Sequence, residues 1–164
     1  MNINDDVQSL INAAYFDARE RHHEYLTPEH LLYATLFFET ARDVFKSCST
    51  DIDSLRQDLE NYLDTKVPVV KNAEPVQSLG FQSVIERAVL HTETSSKDVV
   101  DIGDILVSIF DDSRSHAAFF LKKAGLNRLD LLTVLSDPAF GADRKEGSSE
   151  EGLEDTAPRE KQKT

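Results

Sequence analysis

The densest group of potentially reactive side chains is the run Arg19–Glu24, which is followed closely by Glu29 and His30. The run contains the adjacent histidines His22 and His23. Histidines and carboxylates at such short spacing are able to bind zinc. The H-E-x-x-H pattern and a cysteine pair are both absent, however, so we expect no metal site. Carboxylates on a tight turn also suit the docking of lysine or arginine from a partner protein. A merely solvated helix end is a third interpretation.

Two single residues have simple structural interpretations. His30 lies in the first turn of a predicted helix, so bonding to the local backbone explains it better than a ligand or catalytic role. Cys48 is the only cysteine, and Lys46 lies near it in the sequence. No signature of a catalytic cysteine surrounds Cys48, which we interpret as a small buried hydrophobe. A single cysteine excludes an internal disulfide and fits a reducing compartment.

The sequence lacks motifs for catalysis and for nucleotide binding. Neither a G-x-x-x-x-G-K-[ST] phosphate loop nor a G-x-S-x-G elbow is present. The formal charge of −12 over 164 residues should repel nucleic acids and anionic membranes. No apolar run is long enough to span a bilayer, and no signal peptide is recognisable. We therefore expect a cytoplasmic, monomeric, non-enzymatic protein with no catalytic residues.

Helices are predicted to position these residues. Apolar residues recur at spacings of three and four from the start of the chain: Val7, Leu10, Ile11, Ala14 and Ala18. Thr27, Pro28 and Glu29 follow the order of a cap, a first-turn proline and an acidic residue, so they predict the start of a second helix. Ala41, Val44 and Phe45 mark a third helix. Asp51 can cap a fourth, whose inward residues are Ile52, Leu55, Leu59, Tyr62 and Leu63.

The apolar pattern of the first half recurs in the second half. Asp101 takes the place of Thr27 when the sequence is shifted by 74 residues without a gap. The pairs that this shift creates include Leu10 with Val84, Leu32 with Leu106, Phe45 with Phe119 and Leu55 with Leu129. Each half has little core of its own, so we expect the two to pack together.

These patterns predict an all-α fold, a pseudo-twofold duplication of a four-helix unit with about eight helices. One compact domain covers residues 1–140, with the first repeat at about 5–64 and the second at about 78–138. The intervening residues 65–77 are predicted to be a linker, since Pro68 and Pro75 break helices. Residues 141–164 are polar and aperiodic, which predicts a flexible linker or tail.

A longer signature lies around the first reactive cluster. Ala14-x-x-x-Ala18 is followed by His23–Leu32, which reads H-E-Y-L-T-P-E-H-L-L. This pattern resembles the N-terminal domain of the Clp/Hsp100 family of AAA+ unfoldases, and the resemblance runs from about residue 5 to residue 140. The stretches Cys48–Glu60 and Phe81–Val89, with His91 two residues beyond the second, are similar to the ClpA type in particular.

This resemblance implies a double four-helix repeat that binds proteins. In the ClpA type the domain is a mobile module above the ATPase ring, where it docks the adaptor ClpS for delivery of N-degron substrates to ClpAP. The resemblance implies adaptor-binding roles for His23, Glu24, Glu29 and Ser78; relatives often carry threonine at the last position. It implies contact with the ClpP peptidase only through a full-length unfoldase. No cofactor is expected, because ATP would bind AAA+ modules that this sequence does not contain.

The sequence departs from the family pattern at one position, and two alternative functions remain open. In the ClpC type two glutamates bind phosphoarginine tags, but here Gly103 stands where the second glutamate would be. A paired phosphoarginine site is therefore not expected. One alternative function is a stand-alone Clp-N accessory protein that binds a Clp ring or peptidase. The other is a metal-dependent enzyme centred on His22, His23, Glu24 and His30.

Overall fold

This computed structural model describes residues 2–137, which contain eight helices and four strands of two residues each. The predicted tail over 141–164 lies outside those residues. The helices are α1 (Asp5–Glu20), α2 (Pro28–Thr35), α3 (Glu39–Ser47), α4 (Ile52–Thr65), α5 (Leu79–Thr94), α6 (Ile102–Asp111), α7 (His116–Lys123) and α8 (Arg128–Leu135). The strands are β1 (Asn2–Ile3), β2 (Tyr25–Leu26), β3 (Val76–Gln77) and β4 (Val99–Val100). The prediction of an all-α, eight-helix fold is confirmed, and the short strands are an addition to it.

Side-chain caps begin all but one of these helices. An N-cap side chain accepts a hydrogen bond from a first-turn amide at Asn4, Thr27, Asp51, Ser78, Asp101, Ser115 and Asn127. The exception is α3, whose N-cap residue Phe38 has no side chain able to accept. Local polar residues therefore fix most of the helix starts, as the sequence predicts for Thr27 and Asp51.

The duplication is visible in the backbone, but its register changes once. A shift of 74 residues superposes β1, α1, β2 and the start of α2 on β3, α5, β4 and the start of α6. It also pairs His22 with Ser96, both at a left-handed φ of 60°. Because α6 is two residues longer than α2, the later caps Asp51 and Asn127 are separated by 76 residues.

That change corrects two of the predicted pairs. The gapless shift matches Phe45 with Phe119 and Leu55 with Leu129, but the first member of each pair is fully buried and the second is exposed. A shift of 76 residues instead pairs Leu55 with Leu131, and both are fully buried. The predicted matches at Phe119 and Leu129 were therefore wrong, since a gapless alignment cannot include the longer α6.

The two repeats are joined by their strands. Strand β1 of the first repeat pairs in parallel with β4 of the second, and β2 pairs in parallel with β3. The linker predicted over 65–77 is non-helical from residue 66. It is nevertheless held to the first repeat, because Val69 forms an antiparallel bridge with His23. Each repeat thus lends a strand to the other.

One hydrophobic core serves both repeats. Buried side chains from every helix belong to a single cluster, in which α2 packs against α5 and α7, and α6 packs against α3. The predicted inward residues Val7, Leu10, Ala14 and Ala18 are all fully buried in α1. Among residues 2–137, no helix combines the length and apolarity that crossing a membrane requires.

Candidate docking site

His23 and His30 form a buried pair behind the reactive cluster. His23 is 3% exposed, and its Nδ1 lies 2.8 Å from Nε2 of the fully buried His30. The Nδ1 atom of His30 accepts the backbone N–H of Thr27 at 3.0 Å, which confirms the predicted backbone role of His30. The ring of His23 also bonds the backbone of Leu63. This chain of bonds is satisfied when both rings are neutral.

Burial keeps both imidazoles uncharged. Desolvation is the main cause that lowers the pKa of His30 to about 3, and the neighbouring His23 and Arg21 add to it. Desolvation is also the main cause that lowers the pKa of His23, against the opposing carboxylates of Asp17 and Asp64. The pair therefore fixes the turn between α1 and α2, and His23 is not exposed for contact with a partner. Its predicted adaptor-binding role stays a prediction.

Glu24 and Ser78 lie at opposite ends of the β2–β3 ladder. The carbonyl of Glu24 accepts the N–H of Val76 at 3.0 Å, and the N–H of Ser78 donates to the carbonyl of Leu26 at 3.0 Å. Glu24 is half-buried, and within residues 2–137 its carboxylate has no hydrogen-bond or ion-pair partner. Ser78 is the N-cap of α5, where its Oγ accepts the N–H of Phe81. The structure thus brings these two predicted residues to the same short ladder.

Glu29 points into the molecule. It is 4% exposed, and its Oε2 accepts the backbone N–H of Ala117 at 2.9 Å, in the first turn of α7. Of the four predicted residues, Glu24 and Ser78 thus lie at the surface of the ladder, whereas His23 and Glu29 have internal partners. The sequence gives no sign of this cap, since the two bonded residues are 88 positions apart.

An apolar surface around β2 and β3 was not predicted. Tyr25 and Val76 are partners in the ladder, so their side chains share a face, and both are exposed. Val69, bridged to His23, is exposed nearby, and Leu79, directly after the cap of α5, is 81% exposed. We use the term β2–β3 face for the surface on and next to these two strands, which includes Tyr25, Val69, Val76, Leu79 and the half-buried Glu24.

The equivalent ladder of β1 and β4 has fewer exposed apolar residues, with Ile3 of β1 at 36% exposure. The residue equivalent to Leu79 in the first repeat is Asp5, and the equivalent of Val76 is Asn2. Comparison of the repeats at these two positions could have revealed the β2–β3 face from the sequence, because the first residue of a solvent-facing helix is normally polar. Exposed apolar residues that group around one ladder make it a candidate interaction surface.

The start of α6 repeats the geometry of α2 with different side chains. Asp104 stands where His30 does, and its Oδ2 accepts the backbone N–H of Asp101 at 3.0 Å. Lys97 stands where His23 does, and its Nζ lies 2.8 Å from Asp104. Burial lowers the pKa of Lys97, but hydrogen bonds to Asp104 and Asp101 outweigh it, so the pKa is raised. An ion pair therefore replaces the histidine pair.

Position 103, the equivalent of Glu29, is closed by a neighbouring side chain. A Cβ atom added to Gly103 would lie 2.8 Å from Cδ2 of Leu135 and 3.3 Å from Oδ1 of Asp101. Any side chain at this position would have to displace Leu135. This contact gives a physical reason why the second repeat has no counterpart of the Glu29 carboxylate.

The remaining reactive residues form no second site in the described chain. Cys48 is buried, and burial raises the pKa of its thiol, as expected for a structural cysteine. Between residues 2 and 137, no three histidine, cysteine or acidic side chains are grouped so that they could hold a metal ion. His23 and His30, two members of the alternative metal-enzyme hypothesis, bond each other instead.

Known proteins resemble this chain in sequence and in fold. Residues 2–124 match the family model of the Clp repeat (R) N-terminal domain. A ClpA homolog protein of Fuscovulum blasticum is 34% identical over 157 residues, which cover 90% of this chain but 20% of that protein. The chain therefore spans about a fifth of the length of that relative.

Solved structures share the fold at lower identity. The Hsp104 N-terminal domain from Candida albicans superposes with a TM-score of 0.72 at 19% identity, covering 81% of this chain and 88% of that one. A ClpV N-domain solved in complex with a VipB peptide gives a TM-score of 0.65 at 20% identity, with coverages of 79% and 82%. Together with the family match, which extends over most of the two repeats, these similarities show that the chain belongs to the Clp repeat N-terminal domain family.

Proposed function

We propose that this chain is an adaptor- and substrate-docking domain of a ClpA-like unfoldase, and that it binds a ClpS-type adaptor through the β2–β3 face. In this function the adaptor delivers N-degron substrates to an unfoldase–peptidase assembly, and the domain itself performs no catalysis. The observation that carries the proposal is the group of exposed apolar residues on and next to β2 and β3, where Glu24 also has a carboxylate without a partner among residues 2–137.

The chemistry of the face defines the adaptor surface that would fit it. Tyr25, Val76 and Leu79 offer apolar area that gains free energy when it is removed from water. Glu24 at the edge of the face would pair with a lysine or arginine, and the net charge of −12 would speed the approach of a basic surface. The complementary surface is therefore apolar at its centre with a basic residue at its rim.

The relatives support docking as the activity. The ClpV N-domain has been solved with a bound VipB peptide, so a domain of this fold takes a protein ligand. The 34% identity to a ClpA homolog supports the choice of the ClpA type. The unfoldase to which the domain would belong is part of the proposal.

Calorimetric titration with a purified ClpS-type adaptor tests the proposal. We expect one-to-one binding that weakens as salt is raised, because the Glu24 contact is screened. Glu24→Lys should weaken binding and reverse its salt dependence while the helical circular dichroism spectrum stays unchanged. Absence of binding by the folded parent chain would contradict adaptor docking.

Two exposed leucines provide a matched pair of variants. Leu79→Ser removes an apolar side chain from the β2–β3 face and should weaken binding by about tenfold. Leu129→Ser removes one of similar exposure, 75% against 81%, from the start of α8. The second variant should bind within about twofold of the parent, since single exposed apolar residues carry little energy outside an interface. Equal losses in the two variants would locate the interface elsewhere.

A further inference from the structure

The bond between Glu29 and Ala117 links the two repeats. Glu29 is the second residue of α2, and Ala117 is the second residue of α7. Their hydrogen bond is 2.9 Å long and buried, with Glu29 4% exposed and Ala117 fully buried. A buried side chain of one repeat thus completes the backbone bonding of the other.

The first turn of α7 depends on this bond. The first amides of a helix have no partner within the helix, and buried ones must find an acceptor elsewhere. Ser115 Oγ accepts the N–H of Ala118 at 3.0 Å, and Glu29 accepts that of Ala117. A carboxylate at this end also interacts favourably with the helix dipole. Removing Glu29 would leave the Ala117 amide buried without an acceptor.

The surroundings of Glu29 direct its carboxylate inward. Tyr62 of α4 stacks on His116 of α7 with ring centroids 4.8 Å apart. Burial raises the pKa of Tyr62, and the negative charge of Glu29 adds to that effect. The carboxylate therefore lies among α2, α4 and α7, with its Oε2 atom engaged by the cap.

We propose that Glu29 is an inter-repeat clamp that caps α7, holds the start of α2 in place, and supports docking by position rather than by contact with the partner. The start of α2 follows β2 directly, with Thr27 alone between them, so its placement sets the placement of the β2–β3 face. The part of this inference that concerns docking rests on the proposed function, whereas the part that concerns α7 does not.

Thermal unfolding of three variants tests the clamp. Glu29→Ala should lower Tm by roughly 5 °C, because a buried amide loses its acceptor. Glu29→Gln should lose less than half of that, since its amide oxygen can still accept from Ala117. Ser115→Ala is the matched control, because it weakens the same helix end and leaves α2 untouched. A Glu29→Ala chain with a Tm within about 1 °C of the parent would overturn the clamp.

Adaptor titration of the folded variants separates position from contact. Glu29→Gln should bind a ClpS-type adaptor within about twofold of the parent and keep its salt dependence, whereas Glu24→Gln should lose both affinity and salt dependence. At a temperature where both are folded, Glu29→Ala should bind more weakly than Ser115→Ala. Equal losses of affinity and salt dependence in Glu29→Gln and Glu24→Gln would overturn the positioning role. If the parent bound no adaptor, the proposed function would fail, while the thermal series would still decide the clamp.

Discussion

The starts of α2 and α6 have the same backbone geometry and opposite chemistry. Both helices begin with a reciprocal capping box, formed by Thr27 with His30 and by Asp101 with Asp104. In the first repeat the box is backed by a neutral histidine pair, and in the second it is backed by an ion pair between the exposed Lys97 and the buried Asp104. The duplicated backbone has therefore been kept while the groups that hold it diverged.

The two repeats also differ in the contacts that they make and in the surfaces that they expose. In the first repeat Glu29 reaches across to cap α7, whereas the equivalent Gly103 has no side chain and Leu135 fills the space beside it. The β2–β3 ladder carries the exposed apolar cluster, and the β1–β4 ladder has polar residues at two equivalent positions. A symmetric fold thus presents one candidate docking face rather than two.

Restoring the missing glutamate should produce the largest effect on stability. Gly103→Glu forces Leu135 aside and places a carboxylate near Asp101, so we expect a loss of about 3 kcal/mol in the free energy of unfolding. Urea unfolding measures it. Adding Leu135→Ala to the same chain should return part of the loss, because the space is then open. A Gly103→Glu chain as stable as the parent would show that position 103 is not closed.

Lowering the pH should destabilise the first capping box and leave the second one stable. The pKa of His30 lies near 3 in the folded chain and near 6.5 when unfolded, so the unfolded chain takes up the proton first as the pH falls. The contribution of this group to stability is complete above about pH 6.5 and declines towards pH 3, with about 2 kcal/mol lost by pH 5. Urea unfolding at pH 7.5 and pH 5 measures the decline.

The matched variant isolates this histidine from the many carboxylates. In His30→Gln the loss of stability between the two pH values should be smaller than in the parent by about 2 kcal/mol. An unchanged difference between the two pH values would mean that His30 is not the titrating group. The ion pair of Lys97 and Asp104 serves as the internal comparison. The raised pKa of Lys97 keeps it charged throughout this range, and burial raises the pKa of Asp104, so the folded chain takes up that proton before the unfolded chain does and no stability is lost there.

The loops before α4 and α8 should show the smallest effect. Each contains one residue with positive φ, Ser49 at 56° and Gly125 at 103°. Gly125→Ser should cost about 1 kcal/mol, because a side chain is strained in this region, and Ser49→Gly should gain about 0.5 kcal/mol or less. Thermal unfolding compares the two. A stabilised Gly125→Ser chain would contradict the equivalence of the loops.

The predictable parts of this fold are those that depend on neighbours in sequence. Thr27, Pro28 and Asp51 reveal helix starts because their capping bonds span three residues. A strand of two residues is too short to show alternating polar and apolar positions. The two extra residues of α6 could not be detected by aligning the repeats without a gap. Glu24 could be predicted as a docking residue from the carboxylates on the turn, whereas Ser78 could be predicted only through resemblance. The burial of Glu29 depends on α7, far along the chain, so no local pattern could predict it.

Hydrogen exchange of the unmodified chain, with and without a ClpS-type adaptor, tests the central comparison most directly. The two ladders are related by the duplication, so each serves as the control for the other within one sample. We expect slower exchange on adaptor binding in peptides that span Tyr25–Leu26 and Val76–Gln77, with Asn2–Ile3 and Val99–Val100 unchanged. Protection of the β1–β4 ladder while the β2–β3 ladder exchanged as before would contradict docking at the β2–β3 face.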